Sequence, residues 1–452
     1  MKNTDNLPVA IIGGGPVGLA AAAHLVKRKI PFQLFETGDT VGANFLTWQH
    51  VRVFSPWRYN IDKVAEQLLL ETDWKSPDKE ALPTGGELVR DYFQPLASHP
   101  AIRPGIRLNT KVLSIGRKGM NKMKTWGREK LPFTIKVEEK GVVRYYEAKA
   151  VIDASGTWNQ PNPIGSGGVY AEGEEELEDQ IFYGIPDVKN GALHRYKNKN
   201  VVVVGSGHSA INVLLDLADV QEEYPDTQLN WVLRKENIEL VYGGKKEDVL
   251  KARGALGIRI EQLVNSGRLN VFTPFHILKL VRDADGKIKI HGKRRDEDAH
   301  IDQVDEIISN TGSRPNLEMI REIRTGLDAS LESVAELAEL IDPNIHSCGT
   351  VRPHGEQELR QPEQDFYIVG SKSYGRAPTF LMTTGYEQVR SVIAYLDGDK
   401  EAALRVELDL PQTGVCSSNQ KKTVTALDCC GPDQKEVIEE DTELAAVAVC
   451  CG

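Results

Sequence analysis

The sequence predicts an α/β fold in which one parallel-sheet unit is interrupted by a second, and the chain closes in a cysteine-containing tail. Three observations predict it. An apolar run, a glycine turn and an alanine-rich helical stretch open the chain; the same succession recurs near residue 200; apolar strand-like runs return after each. A length of 452 residues is enough for two or three domains.

Taken in order, residues 7–12 read as a buried strand, Gly13 to Gly18 as a tight turn, and Pro16 to Lys29 as a helix. Phe32 to Glu36 reads as a second strand and completes a βαβ unit. Residues 40–100 are aromatic-rich, with helical stretches near 60–70 and 85–98, and the runs 109–116, 131–138 and 142–148 suit an antiparallel meander. Val151-Ile152-Asp153 returns to the sheet. The linker after it is punctuated by proline and glycine, and its acidic run at 172–179 reads as a solvated face. Val201 to Val204 is a parallel-strand run with no alternation. A glycine turn, a helix over 209–219 and a strand over 229–233 follow, then a hairpin around 287–290 and a strand at 306–308. This order predicts one domain made of 1–165 and 306–397, an inserted domain at 180–305, and a tail at 398–452.

Each glycine turn carries chemistry. Gly13-Gly14-Gly15-Pro16-Val17-Gly18 fits G-x-G-x-x-G. Gly13 permits the turn, Gly15 lets a pyrophosphate approach the backbone, and Gly18 lets the helix pack on the strand. The helix start, with Pro16 in its first turn, offers oriented N–H groups to phosphate. Glu36 closes the second strand, where a carboxylate accepts from a ribose diol. Gly205-Ser206-Gly207-His208-Ser209-Ala210 repeats the pattern with alanine last. Its strand ends in Arg234 rather than an acid, which suits a 2′-phosphate and so NADPH. An exposed strand-end arginine without that role is the other reading.

With these turns in hand, the chain resembles the two-dinucleotide-binding-domain flavoproteins, in particular the flavin-containing monooxygenases. Asp153-Ala154-Ser155-Gly156-Thr157 is similar to the family's linker motif, Asn310-Thr311-Gly312-Ser313-Arg314-Pro315 to its returning T-G-x-R-P motif, and Phe366 to Gly370 to its flavin-binding strand. Gly42 to Trp48 resembles a G-G-x-W stretch, with Ala43 for one glycine. Ser371 stands where the family has Asp. Of F-x-G-x-x-x-H only Phe182 and Gly184 fit, because His194 lies too far on. The resemblance implies two Rossmann-like domains, the first binding FAD and the inserted one NADPH. It assigns FAD contacts to Gly13, Gly15, Pro16, Gly18, Glu36, Trp48, Ser155, Gly156, Gly370 and Gly385. It assigns NADPH contacts to Gly205, Ser206, Gly207, His208, Ser209, Arg234, Thr311 and Gly312. The helix begun by Thr384-Gly385 points its N-terminus at the flavin ring in that family.

Cysteine placement narrows the chemistry. No cysteine precedes Cys348, so dithiol relay beside either glycine turn is excluded. Cys416, Cys429, Cys430, Cys450 and Cys451 fall in the last 37 residues. Vicinal Cys-Cys-Gly pairs suit soft, thiophilic ions. They lack the C-x₂₋₄-C spacing of zinc sites, and no resident metal is expected; unremarkable tail cysteines are the bland reading. With the polar segment from His346 to Gly355, the tail resembles that of arsenic-resistance flavoprotein monooxygenases, and Cys348 becomes a candidate third thiolate. His346 and His354 read equally well as residues holding their own loop.

The resemblance implies oxidation of a trivalent arsenical, arsenite or methylarsenite, to the pentavalent form with O₂ and NADPH. A monooxygenase for an organic amine or sulfide, and a metalloid-binding flavoprotein without turnover, are the alternatives. The net charge of −10 argues against nucleic-acid or anionic-membrane partners. The first apolar run is too short for a signal peptide, so a cytoplasmic location is expected.

Overall fold

The computed structural model describes residues 6–248, 250–345, 351–378 and 380–408. β1 (Val9–Ile12) is buried throughout and pairs in parallel with β2 (Phe32–Phe35) on one side and β7 (Ala150–Asp153) on the other. β3 (Ile106–Arg107) and β16 (Phe366–Ile368) complete the order β16-β7-β1-β2-β3, again with parallel pairing. α1 (Pro16–Lys27) crosses between β1 and β2; Ala20 to Ala23 are fully buried, and their small side chains let the helix lie close to its neighbours. An antiparallel meander of β4 (Thr110–Arg117), β5 (Phe133–Glu139) and β6 (Val142–Ala148) stands beside this sheet. The first core joins residues from Val9 to Ile152 with others from Ile320 to Ile393, so both flanks of the inserted segment build it.

The second sheet has the order β11-β10-β9-β15-β8, all parallel. Its strands are β8 (Ile181–Tyr183), β9 (Asn200–Val204), β10 (Gln228–Val232), β11 (Leu269–Phe272) and β15 (Glu306–Ser309). Alternate side chains of β9 serve two cores, as strand geometry requires. Val201 and Val203 pack with helical residues such as Leu214 and Ile260, while Val202 and Val204 pack with Phe275, Ile288 and Ile290. The helical cover is formed by His208–Glu223 and Lys251–Asn265, here α2 and α3. The other cover is a meander of β12 (His276–Arg282), β13 (Ile288–Arg294) and β14 (Glu297–Val304).

Three expectations need correction. The strand at 306 does not reopen the first sheet: β15 pairs with β9 and β8. A four-residue apolar strand carries no mark of which parallel sheet receives it. The run around 287–290 is the middle of three strands rather than half of a hairpin. Between β10 and β12 the chain also forms α3 and β11. Among the described residues no helix is long and apolar enough to cross a membrane.

Candidate cofactor cradles and active site

The two glycine turns have the same construction. Gly13 adopts a φ of 101°, and a Cβ there would stand 2.7 Å from the Ala154 carbonyl oxygen. At Gly18 a Cβ would stand 2.0 Å from the Gly13 carbonyl oxygen, so helix and turn touch through backbone. Gly15 is the opposite case, with no atom within 4 Å of the position a Cβ would take. No side chain caps α1 at Gly15 and Pro16 occupies the first turn, so the helix start presents its N–H groups to an open cradle. In the second turn Gly205 has a φ of 134°, and a Cβ would stand 2.3 Å from the Asn310 carbonyl oxygen. Gly207 is again open, and no side chain caps α2. Both cradles fit a diphosphate, and both would be filled by a side chain.

Glu36 follows β2. Its carboxylate accepts from the Gly14 N–H at 2.6 Å and the Gly38 N–H at 2.7 Å, one oxygen to each. Each oxygen keeps a second lone pair for a ribose hydroxyl. The expected acid is therefore held against the first turn by the turn's own backbone. Arg234 lies beyond β10, exposed, its Nη1 donating to the Ser166 carbonyl at 3.2 Å. Among the described residues it has no ion pair, which leaves its charge available at the strand end.

The flavin-side residues converge on Val17. A Cβ at Gly370 would meet the Val17 side chain at 3.3 Å, and one at Gly385 would meet it at 2.4 Å. Gly385 sits in the first turn of a helix over Met382–Leu396, α4, which begins two residues before the expected Thr384. Gly156 (φ 69°) lies so that a Cβ would be 3.5 Å from the Ser371 hydroxyl. Ser155 and Gly156 are thus beside the strand end that carries Gly370. Trp48 packs on the Phe45 ring at 4.6 Å and lies 6.1 Å from Trp158; it also touches the core of the second unit. It stands where the two units meet.

Other expected residues have different neighbours. The Thr311 hydroxyl donates to the Asn162 carbonyl at 2.6 Å, and the Gly312 carbonyl accepts from the Asn162 N–H at 2.9 Å. Both serve the crossing between units, and it is Asn310 that abuts the second turn. His194 is exposed on the short helix Leu193–Tyr196, away from the turn. His354 takes the bland reading: it is buried, its Nδ1 donates to the Arg352 carbonyl (3.1 Å), and its Nε2 accepts from Gln388 (2.9 Å). Burial lowers its pKa. Cys348, Cys416, Cys429, Cys430, Cys450, Cys451 and His346 lie outside the described residues.

Sequence reasoning missed a buried ion pair under the flavin-side loop. The Lys372 ammonium donates to the Asp153 carboxylate at 2.7 Å and to the Ser155 hydroxyl at 3.1 Å, with both charged side chains fully buried. Ser155 completes the triangle by donating to Asp153 at 2.6 Å. Gln388 is the second omission. Its oxygen accepts from the Gly370 N–H at 2.7 Å, and its nitrogen donates to His354 and Ser373. One signal was available: an aspartate closing a buried apolar strand demands a cationic or donor partner.

Two parallel sheets, each with a phosphate cradle at the carboxyl end of its central strand, define a two-dinucleotide-binding Rossmann-like enzyme. The chain belongs to the pyridine nucleotide-disulphide oxidoreductase family, whose profile matches residues 10–339. It is a flavoprotein oxidoreductase with FAD and NADPH as cofactors. The matched region contains no cysteine. Among curated relatives it is 28% identical over 216 residues to the probable indole-3-pyruvate monooxygenase YUCCA7 of Arabidopsis thaliana, covering 47% of this chain and 44% of that protein. It is 26% identical over 221 residues to monooxygenase PC-14 of Penicillium crustosum, covering 46% of this chain and 33% of the relative. The chain thus spans less than half the length of these relatives. The fold is similar to that of the bacillithiol disulfide reductase Bdr (YpdA) from Bacillus cereus, with a TM-score of 0.65 at 17% identity, covering 87% of this chain and 99% of that one. It is also similar to the cadaverine monooxygenase DfoA from Erwinia amylovora, with a TM-score of 0.61 at 13% identity, covering 92% of this chain and 99% of that one.

Proposed function

We propose that the protein is an NADPH-dependent flavin monooxygenase that oxidises a trivalent arsenical, arsenite or methylarsenite, to the pentavalent form. When bound, the flavin supplies two-electron transfer from NADPH and activation of O₂. One oxygen atom passes to arsenic, which gives up two electrons, and the other leaves as water; each turnover consumes one NADPH, one proton and one O₂. The chain's own contribution is positional. The open starts of α1 and α2 would hold the two diphosphates, Glu36 the ribose of the FAD adenosine and Arg234 the 2′-phosphate, with Trp48 and Trp158 side by side where the units meet.

One observation carries the substrate class: six cysteines, none before Cys348, including two Cys-Cys-Gly pairs at 429–431 and 450–452. Thiolates so placed capture a soft, thiophilic ion and serve no disulfide relay at the flavin. A second reading, oxidation of an organic amine or sulfide, is favoured by the monooxygenase relatives, whose names specify organic substrates. The test is NADPH oxidation with simultaneous O₂ uptake on addition of arsenite, methylarsenite, or a panel of amines and sulfides, repeated anaerobically. Stimulation by an arsenical in air supports the proposal. Stimulation by an amine or sulfide alone transfers the assignment to the second reading.

A further inference from the structure

The loop between β4 and β5 projects apolar side chains that its own chain does not cover. Met123 is 88% exposed and Trp126 93%, the two highest values for large apolar side chains among the described residues. Gly119 and Gly127, with φ of 70° and 78°, turn the chain near the two ends of this loop. Two arginines fix it from beneath. Buried Arg128 donates to the carbonyls of Met120 (3.0 Å) and Asn121 (2.9 Å), and is itself held by Glu363 at 2.8 Å. Arg324 donates to the carbonyls of Lys122 (2.8 Å) and Lys124 (3.1 Å) and to the Thr125 hydroxyl (3.0 Å). These loop carbonyls are thus satisfied on the inner side, as backbone polar groups require, while Met123 and Trp126 face solvent.

A groove of about 620 Å³ opens beside this knob, lined by Leu317, Ile320, Ile323 and Leu327, with Lys122 of the loop among its walls. Its apolar floor continues the first core, to which Ile320 and Ile323 belong. We propose that this face is where two copies of the chain associate, each placing Met123 and Trp126 in the groove of the other. A knob and a groove side by side make the face self-complementary, because one two-fold axis between them satisfies both contacts at once.

Charge selects a second copy as the occupant. The chain carries a net −10, so most approaches of two copies are repulsive. On this face the exposed cations Lys124, Lys130 and Arg321 stand among the exposed acids Glu129, Glu318 and Glu322, which balances it and lets opposite signs meet across the axis. An anionic lipid surface would be repelled by the same three acids. Residues 118–130 and 315–327 supply knob and groove, in keeping with the roughly 20–30 residues a side of a standard interface. The loop is already held by Arg128 and Arg324, so little conformational freedom is lost on docking. A tryptophan seated in an apolar pocket is also the residue type that carries most of an interface's binding energy.

The test is sedimentation velocity of the full-length holoprotein under reductant, at about 1 and 50 µM so that mass action is visible. The wild type should sediment as a dimer at the higher concentration. Trp126→Ala removes two anchors per dimer and should raise the dissociation constant by at least about a hundredfold. Thr325→Trp fills the groove, which Thr325 lines, and should also give monomers. An equimolar mixture of the two variants should recover dimers, because one intact knob then meets one intact groove; a contact of Trp126 with its own copy predicts no recovery. A wild type that stays monomeric, or a dimer indifferent to Trp126→Ala, overturns the proposal, and so does a mixture of folded variants that recovers nothing. A monomer that binds phosphatidylserine vesicles through Trp126 overturns it in favour of a lipid surface. Should Thr325→Trp fold poorly, Asn316→Trp, at an exposed position of the same groove, takes its place in the mixture.

Discussion

Gly15 and Gly18, three residues apart in one turn, are under different constraints. At Gly18 an added methyl collides with backbone 2.0 Å away, so Gly18→Ala forces turn and helix apart. We expect a stability loss of about 1–3 kcal/mol, read as a lower denaturation midpoint in the apoprotein itself. At Gly15 the methyl meets nothing of the chain. Gly15→Ala should leave the apoprotein's midpoint within a degree or two and still lower its FAD content several-fold, measured as the ratio of flavin to protein absorbance. Normal flavin content in Gly15→Ala would remove the first cradle from the account. Lys372 gives a test of another kind. Replacing it by methionine leaves the Asp153 carboxylate buried and unpaired, at a cost of roughly 3–5 kcal/mol. The double variant Lys372→Met with Asp153→Asn should recover a large part of that loss, because no charge then lies buried. Chemical denaturation of wild type, the two single variants and the double variant measures it. A loss in the double variant equal to the sum of the two single losses would show that the pair is not coupled.

At the scale of elements, the loop that opens on Gly370 is held by α4 rather than by its own strand. Gln388 of α4 accepts from the Gly370 N–H and donates to His354 and Ser373, and the Ser373 hydroxyl returns a bond to the Gly370 carbonyl at 2.8 Å. Neutral His354 is the form that fits, donating at Nδ1 and accepting at Nε2. Burial depresses its pKa in the folded chain, whereas the unfolded chain titrates near about 6.5. The unfolded state then binds more protons on the acid side. This contribution to stability is complete above the unfolded value and is lost as pH falls from there towards the depressed folded one. The thermal midpoint of the wild type should drop more between pH 7.5 and 5.5 than that of His354→Gln, which starts lower but cannot titrate. Parallel curves for the two proteins would exclude His354 as the source.

Elements also show what was legible in the sequence. β1, the turn and α1 were readable because apolar run, glycines and alanines all agree. α3 was not, and its glycines explain why. A Cβ at Gly254 would stand 2.0 Å from the Lys245 carbonyl oxygen, and one at Gly257 would stand 1.9 Å from that of Tyr242. The helix carries glycine because the preceding segment crosses it backbone to backbone, and in sequence such glycines look like a loop. At the site, Glu36 is legible as an acid at a strand end, and Asp153 as the end of a returning strand and the start of a motif. Lys372 was invisible, because nothing in local periodicity tells a buried lysine from a solvated one.

At the scale of the whole molecule, two chain crossings join the units. The Ser313 hydroxyl donates to Thr157 at 2.9 Å, the Arg314 N–H donates to the Gln160 carbonyl at 2.9 Å, and the Asn162 and Thr311 contacts lie alongside. The linker beyond is tied down by Glu174, whose buried carboxylate accepts from the N–H groups of Ile164, Gly165 and Ala171 and from the Tyr183 hydroxyl. Both glycine cradles and the contacts between the units therefore lie within residues 6–408, and five of the six cysteines lie beyond them. This separation permits a test of the substrate class that leaves the flavin chemistry in place. A chain ending at residue 410 should keep its flavin content, its NADPH affinity and its uncoupled NADPH oxidation in air. If the tail thiolates capture a trivalent arsenical, the shortened chain should show about a tenfold rise in the KM for methylarsenite with kcat changed less than twofold, because capture raises local substrate concentration without altering the reacting centre. An organic amine or sulfide that does not ligate thiols should show no change in either constant. Steady-state O₂ uptake over a hundredfold range of substrate, compared between the two chain lengths, separates these cases, and an unchanged KM for methylarsenite would detach the tail from catalysis.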